Sequence, residues 1–312
     1  MTTLSLSTMW AQQERFEDLG YFRDYIAEFG YDAIEVSHLT GPPGLSTLLT
    51  KGVVPLSGLH APTPNRLLEN GRRNAEANLA SPDPQQTRFA LDETKRTIDY
   101  AAEAGLPYVV VHLGGVGDDR CDEERAVRAL FLGLSKDERG VTNGEDWDHA
   151  RHALAETRAA RAAEHIEVSR ASLEALVDYA SPRGVAIGIE SRLNYHEIPH
   201  PDEAADLLAP YTNAEAGFWY DVGHCEVQSR LGMIEHASWF PAIGERIIGA
   251  HLHDVRGILD HRGPGNGTLD WAMIAANLPP TALRVLEIDQ HEPDELIRRG
   301  RAFLTERGLI EA

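Results

Sequence analysis

Eight short apolar runs, each followed by a polar stretch and a helix-forming segment, leave few architectures open to this chain. The runs are TLSLS (3–7), DAIEVS (32–37), VVPLSGLHA (53–61), YVVVHLG (108–114), VAIGIES (185–191), AGFWYDVG (216–223), RIIGAHLHD (246–254) and LRVLEID (283–289). Several are near-continuous β-branched or aliphatic segments, the pattern of parallel strands buried on both faces. Between them, DETKRTIDYAAEAG (92–105) stops at Gly105 and Pro107, and PDEAADLLA (201–209) opens on Pro201 and an acidic turn. EPDELIRRGRAFLTERG (292–308) closes the chain as a helix. Eight strand–helix alternations in 312 residues predict an α/β fold, a (β/α)8 TIM barrel in a single domain over 1–312. The second unit is the weakest, because GPPGLSTLLTK (41–51) allows only a short helix. An acidic segment, 117–148, follows the fourth strand and precedes a long Ala-, Arg- and Glu-rich helix over roughly 149–180. It reads as an inserted loop or lid on the face where barrel active sites lie, with a plain surface excursion as the alternative.

The ends of these runs carry the chemistry. His60 ends the third strand, His112 the fourth, Glu190 the fifth, Asp221 and His224 the sixth, His251 the seventh and Glu287 the eighth. All C-terminal strand ends of such a barrel meet at one mouth, so seven ligand-type side chains converge there. A single histidine beside an apolar strand is usually a hydrogen-bonded rim residue. Glu190 and Glu287 are harder to explain that way, because a carboxylate behind AIGI or RVL would be buried unpaired at a cost of roughly several kcal/mol. A bound cation removes that cost. Glu190, Asp221, His251 and Glu287 form a three-carboxylate, one-imidazole set suited to Mn2+, Mg2+ or Co2+, with Zn2+ also admitted. His60 and His112 beside a bridging Glu190 suit a second ion, Zn2+. His224 with His261 or Asp260 would hold a third, so the expected load is one to three divalent ions.

Charge narrows the partners. The formal net charge is −20, the opposite of the positive surface that phosphate neutralisation requires of a DNA or RNA binder. The expected partner is a small carbohydrate-like molecule, not nucleic acid and not a membrane; a homo-oligomer is compatible with everything read so far. Two lone cysteines, Cys121 and Cys225, make no disulfide framework, and no signal-like or membrane-spanning run is present. These features point to the cytoplasm.

The motifs HLHD (251–254), DVGH (221–224) and LEI (286–288) resemble those of the xylose isomerase-like superfamily of TIM barrels, which includes sugar isomerases and epimerases, inosose dehydratases and endonuclease IV. The resemblance covers nearly the whole chain. It implies that Glu190, Asp221, His251 and Glu287 are shared metal ligands and that His224 contacts substrate. It also implies that Glu190 and Glu287 are the catalytic pair that removes and returns a proton beside a metal-polarised carbonyl, in isomerisation or epimerisation. His60 and His112 match two further histidines of the endonuclease IV zinc site. That family has an Asp-x-His pair where this chain has adjacent Asp260 and His261, with Leu259 at the Asp position, which puts the third zinc in question. HRGPGNGTLDW (261–271) adds His261 and SRLNYHEIP (191–199) adds His196 and Glu197 as expected substrate contacts; His253 and Arg256, after the seventh strand, are expected there too, and Trp10 is an aromatic platform for a sugar face. His251 is the expected ligand of its pair, and His253 is expected to point away from the ion. Two alternatives stand beside the isomerase reading: an endonuclease IV-like multinuclear zinc phosphoesterase on a small substrate, and a metal-stabilised barrel that binds without turnover.

Overall fold

The computed structural model describes residues 3–117, 121–133 and 144–311. Eight parallel strands close into a barrel: β1 (Leu4–Ser7), β2 (Ala33–Val36), β3 (Leu56–His60), β4 (Tyr108–Val111), β5 (Ala186–Glu190), β6 (Ala216–Asp221), β7 (Ile247–Leu252) and β10 (Leu283–Leu286). Their order around the barrel is β1-β10-β7-β6-β5-β4-β3-β2. Each strand lies within an expected run. Two short antiparallel strands, β8 (Asp254–Arg256) and β9 (Leu259–Arg262), form a hairpin beyond β7 that the sequence reading did not separate from it.

The barrel interior is filled by Tyr108, Val110, Trp219 and Val285. Tyr108 and Trp219 stack at 4.6 Å between ring centroids. Gly249 makes room for the indole, because a Cβ there would stand 2.2 Å from the Trp219 ring. This aromatic plug is the floor of the mouth. A larger apolar layer, including Leu6, Ile34, Val109, Ile187, Phe218 and Ile297, packs between strands and surrounding helices.

Helix α1 (Leu19–Ile26) follows β1, and the short α2 (Pro42–Leu49) follows β2 as expected. Helix α3 (Pro84–Glu103) starts eight residues before the segment read from sequence, because Asp83 caps Gln85 N–H and Pro84 takes the first turn. Helices α4 (Asp122–Gly133) and α5 (Glu145–Ala180) follow β4. Helix α4 and the first residues of α5 fall in the segment expected as an insertion; 118–120 and 134–143 of that segment lie outside the described residues. Val127, Phe131, Trp147 and Leu154 join Val227, Leu231, Val255 and Ile258 in a satellite core. This core fastens α4 and α5 to α7 (Val222–Arg230) and the hairpin on the mouth side. Helices α6 (Pro201–Leu208), α8 (Trp239–Ile243), α9 (Trp271–Asn277) and α10 (Asp294–Glu306) complete the outer ring. No helix among the described residues is long and apolar enough to cross a membrane.

Candidate metal centre

Four strand ends deliver Glu190, Asp221, His251 and Glu287 to one point. One ligand atom from each lies within 4.8 Å of the others, and all four residues are buried. His251 Nδ1 is 2.6 Å from Glu190 Oε1, 3.0 Å from Glu287 Oε2 and 3.7 Å from Asp221 Oδ2. Three carboxylates around one imidazole nitrogen is a donor set for a hard or borderline dication.

The fit goes beyond proximity. Asp221 caps α7 through Oδ1, which accepts from His224 N–H at 2.7 Å and from His253 Nε2 at 2.9 Å. Its other oxygen, Oδ2, is buried with no hydrogen-bond partner. A bare anionic oxygen in such a place is costly unless a cation meets it. His251 Nε2 is 2.7 Å from Glu35 Oε1, and Glu35 Oε2 accepts from the Tyr108 hydroxyl at 3.0 Å. The carboxylate therefore accepts a hydrogen bond from Nε2–H, so that Nδ1 is the nitrogen that would present a lone pair to an ion among the other three donors. Sequence reading missed Glu35. Its signal was available: a carboxylate inside AIEV, in a strand buried on both faces, raises the question that Glu190 and Glu287 raise.

His60 and His112 meet beside this set, their Nε2 atoms 2.8 Å apart. Glu190 spans both groups, with Oε2 2.5 Å from His112 Nε2 and 3.4 Å from His60 Nε2 while Oε1 faces His251. His38, just beyond β2, joins His60 and His112 in one potential ligand group and was also missed. A third group unites Asp221, His224 and His261. His224 Nδ1 donates to Ser191 O, which leaves Nε2 bare, 3.5 Å from Asp260 Oδ2. His261 reaches the mouth because the β8–β9 hairpin turns at Gly257 and because His261 itself adopts φ 53. This left-handed conformation costs a non-glycine residue roughly 1–2 kcal/mol and puts its Nε2 3.5 Å from Glu287 Oε2. Adjacent Asp260 places Oδ2 3.0 Å from His261 Nδ1, so the missing Asp-x-His spacing still yields clustered donors.

Charge pairing overrides burial at this centre. Burial works to raise the Glu190 and Glu287 carboxyls, but His251 and His60 hold both well below the usual range. Burial works to lower His251 and His60; the facing carboxylates push His251 well up and His60 to about 9. His112 goes the other way, because burial and then the Arg192 guanidinium press it well down. Without an ion, protons on His60 and His251 balance the carboxylates; a dication would displace them.

His253 is not free to ligate in this arrangement. Nε2 lies on Asp221 Oδ1, and Nδ1 accepts the His261 backbone N–H at 2.8 Å. Its ring lies over Gly223, where a Cβ would stand 2.0 Å away, which accounts for the glycine of DVGH. Glu197 is engaged by Arg192, at 2.9 Å, and by the Asn194 N–H; Arg192 also approaches Glu190 Oε2 at 3.4 Å. Arg192 is thus a half-buried cation at the centre that sequence reading did not single out. His196 is buried against Glu124. Arg256 is exposed on the hairpin and bonds Asn266 at 2.8 Å. Trp10 corrects an expectation. It is fully buried, packs on Phe16 and Phe22, and donates its indole N–H to Glu292 O at 2.9 Å, so it offers no open face to a sugar.

Comparison with known proteins agrees with this architecture. A D-tagatose 3-epimerase-like protein superposes with a TM-score of 0.65 at 17% identity, covering 98% of this chain and 97% of its own. The 3-keto-D-glucoside 4-epimerase of E. coli gives 0.62 at 14% identity, covering 98% and 100%. A Thermus thermophilus protein soaked with ZnCl2 gives 0.59 at 20% identity, covering 97% and 98%. No curated protein matches in sequence. At these identities the structural likenesses show a shared fold, whereas the family profile described as xylose isomerase-like TIM barrel matches the sequence itself over residues 23–307. The chain belongs to the xylose isomerase-like TIM barrel family.

Proposed function

We propose that this protein is a divalent-metal-dependent sugar or sugar-phosphate isomerase or epimerase that abstracts a proton next to a carbonyl. The observation that carries the reading is the placement of Glu190 and Glu287. They end β5 and β10, which stand three places apart in the eight-strand ring, and both approach His251 from their own sides. Glu190, Asp221, His251 and Glu287 would hold the ion, which supplies Lewis-acid polarisation of a carbonyl or hydroxyl oxygen. Both glutamates are held anionic, so either can accept a proton from the acidified C–H. One takes the proton and the other returns it, on the same or the opposite face. Arg192 steadies Glu190, and beside the ligand set the His261 Nε2 is left without a hydrogen-bond partner and would meet a substrate hydroxyl. Structural neighbours that are epimerases support this choice of chemistry.

A second reading, multinuclear phosphoester hydrolysis, is favoured by one feature: the two oxygens of Glu190 face different imidazole groups, as a carboxylate bridging two ions would. The test is metal analysis combined with a screen of ketoses, inosose and nitrophenyl phosphodiesters in D2O. Deuterium appearing at the carbon next to the carbonyl supports the isomerase. Phosphodiester cleavage without deuterium incorporation replaces it with the hydrolase. Salt-sensitive micromolar binding to duplex DNA, which the charge of −20 opposes, would also favour the hydrolase.

A further inference from the structure

We propose that Arg230, the last residue of α7, is a positioning residue: it holds the β8–β9 hairpin so that His261 faces Glu287. The inference rests on the reading above, in which Glu287 is one of the two proton-transferring glutamates. The hairpin lies outside the barrel sheet, and its strands pair only at Asp254 with Arg262 and at Arg256 with Leu259. A two-stranded ribbon of this length does not hold its own shape in water. Yet His261 is kept in the left-handed region at φ 53, a conformation that persists only where its surroundings over-determine it. Its ring stacks on His253 at 4.2 Å between centroids, and its Nε2 is buried without a hydrogen-bond partner, 3.5 Å from Glu287 Oε2.

Two kinds of contact hold the hairpin against α7. Val255 and Ile258 pack with Val227 and Leu231, but apolar burial is non-directional. Direction comes from Arg230. Its Nε donates to Glu226 Oε1 at 2.7 Å, Nη1 to Val255 O at 3.3 Å and Gly257 O at 3.0 Å, and Nη2 to Thr268 O at 3.2 Å and Thr268 Oγ1 at 2.9 Å. A guanidinium carries five N–H donors in a fixed plane, and here each has an acceptor. One side chain therefore ties the first hairpin strand, its turn and the returning loop to a single helix. A lysine ammonium, a point charge on a flexible stem, cannot span both sides of that loop. Glu226 is itself held, with Oε2 2.8 Å from His236 Nδ1, and His236 bonds the Tyr220 hydroxyl next to Asp221. Asp221 caps the same helix, so α7 has a proposed ion ligand at one end and the hairpin's anchor at the other. The Arg230 side chain stays 18% exposed, and its replacement leaves the barrel core untouched.

The experiment compares Zn2+-loaded wild type, Arg230→Lys, Arg230→Gln and His261→Ala as full chains. Hydrogen exchange read by mass spectrometry follows the hairpin. Ring spectra of 15N-histidine-labelled protein follow His261, whose signal is identified by its loss in His261→Ala. In both Arg230 variants the amides of 255–262 should exchange faster by at least roughly tenfold, the worth of one charge-assisted hydrogen bond. Exchange in β5 and β10 should not change, and the His261 ring signal should shift or broaden. On a ketose that wild type turns over, Arg230→Lys should be slower, and Arg230→Lys with His261→Ala should be no slower than His261→Ala alone, because Arg230 acts through that histidine. Hairpin exchange and a His261 signal both unchanged in Arg230→Lys would overturn the proposal, as would additive losses in the double variant. Exchange that rises equally in the barrel strands would also overturn it, since Arg230 would then be a general stabilising residue. Absence of turnover by wild type on every ketose counts against the proposed function alone; the exchange and the ring spectra still decide the role of Arg230.

Discussion

Glu35→Gln tests whether the centre depends on the hydrogen bond behind His251. Glutamine keeps the volume of the side chain, so the strand and the aromatic floor should persist. What changes is the grip on His251. The carboxylate can only accept, so it fixes the proton on Nε2 and the lone pair on Nδ1. An amide can also present N–H to Nε2, and it carries no charge to raise the basicity of the ring. The tautomer with a proton on Nδ1 cannot ligate at the point where Glu190, Glu287 and Asp221 converge. Loss of such a supporting carboxylate costs roughly 10- to 100-fold in metal affinity, or about 1.4 to 2.7 kcal/mol. Tyr108→Phe removes only the hydroxyl that steadies Glu35 and should cost less. Chelator competition with Zn2+ and Mn2+ measures both variants against wild type. Affinity unchanged in folded Glu35→Gln would show that Nδ1 of His251 needs no partner behind it, and the orientation argument would fall.

Glu190→Gln should lose metal or activity while keeping its circular dichroism, because the amide retains shape but not charge; full occupancy with full turnover would make Glu190 merely structural. Removal of metal should lower the melting temperature: an ion at a hundred times its Kd stabilises the native state by about 2.7 kcal/mol per site, worth several degrees in a barrel of this size. An unchanged melting temperature after verified removal counts against the buried carboxylate set. The metal-free protein should lose stability as pH rises from about 6.5 to about 9. His60 is raised to about 9 from 6.5, so its contribution is complete below the unfolded value and is lost as the folded group releases its proton. The metal-loaded protein should lack this decline, since the ion holds the place of the proton; a flat metal-free profile in a scan of melting temperature against pH would refute the charge balance. His251→Ala should abolish the ion of the carboxylate set, and His253→Ala should retain it and alter turnover; metal analysis showing the reverse would exchange their roles.

The contrast between His251 and His253 marks how far sequence alone could reach. Two positions apart at a strand end, they share a side if the strand continues, and they were separated first by resemblance and then by placement, His251 directly following the apolar IIGA and His253 opening the loop. The chain separates them physically by turning after Leu252 into the β8–β9 hairpin. There Asp254 accepts from Leu269, Gly265 and Trp271, closing the following loop over the mouth. Those bonds join residues from 11 to 17 positions apart, a range that no local period expresses. The barrel was legible because its signal repeats: eight runs buried on both faces, with Glu190 and Glu287 conspicuous at their ends. Glu35 broke the same rule in mid-strand, where a charged residue reads as ordinary alternation until the strand is known to be buried on both faces. Trp10 erred oppositely. Near a strand end it resembles a binding platform, and its burial depends on Phe16, Phe22 and the carbonyl of Glu292, far along the chain. Residue type and strand end thus locate a centre, while the atom each residue offers to it is set by partners that sequence spacing does not reveal.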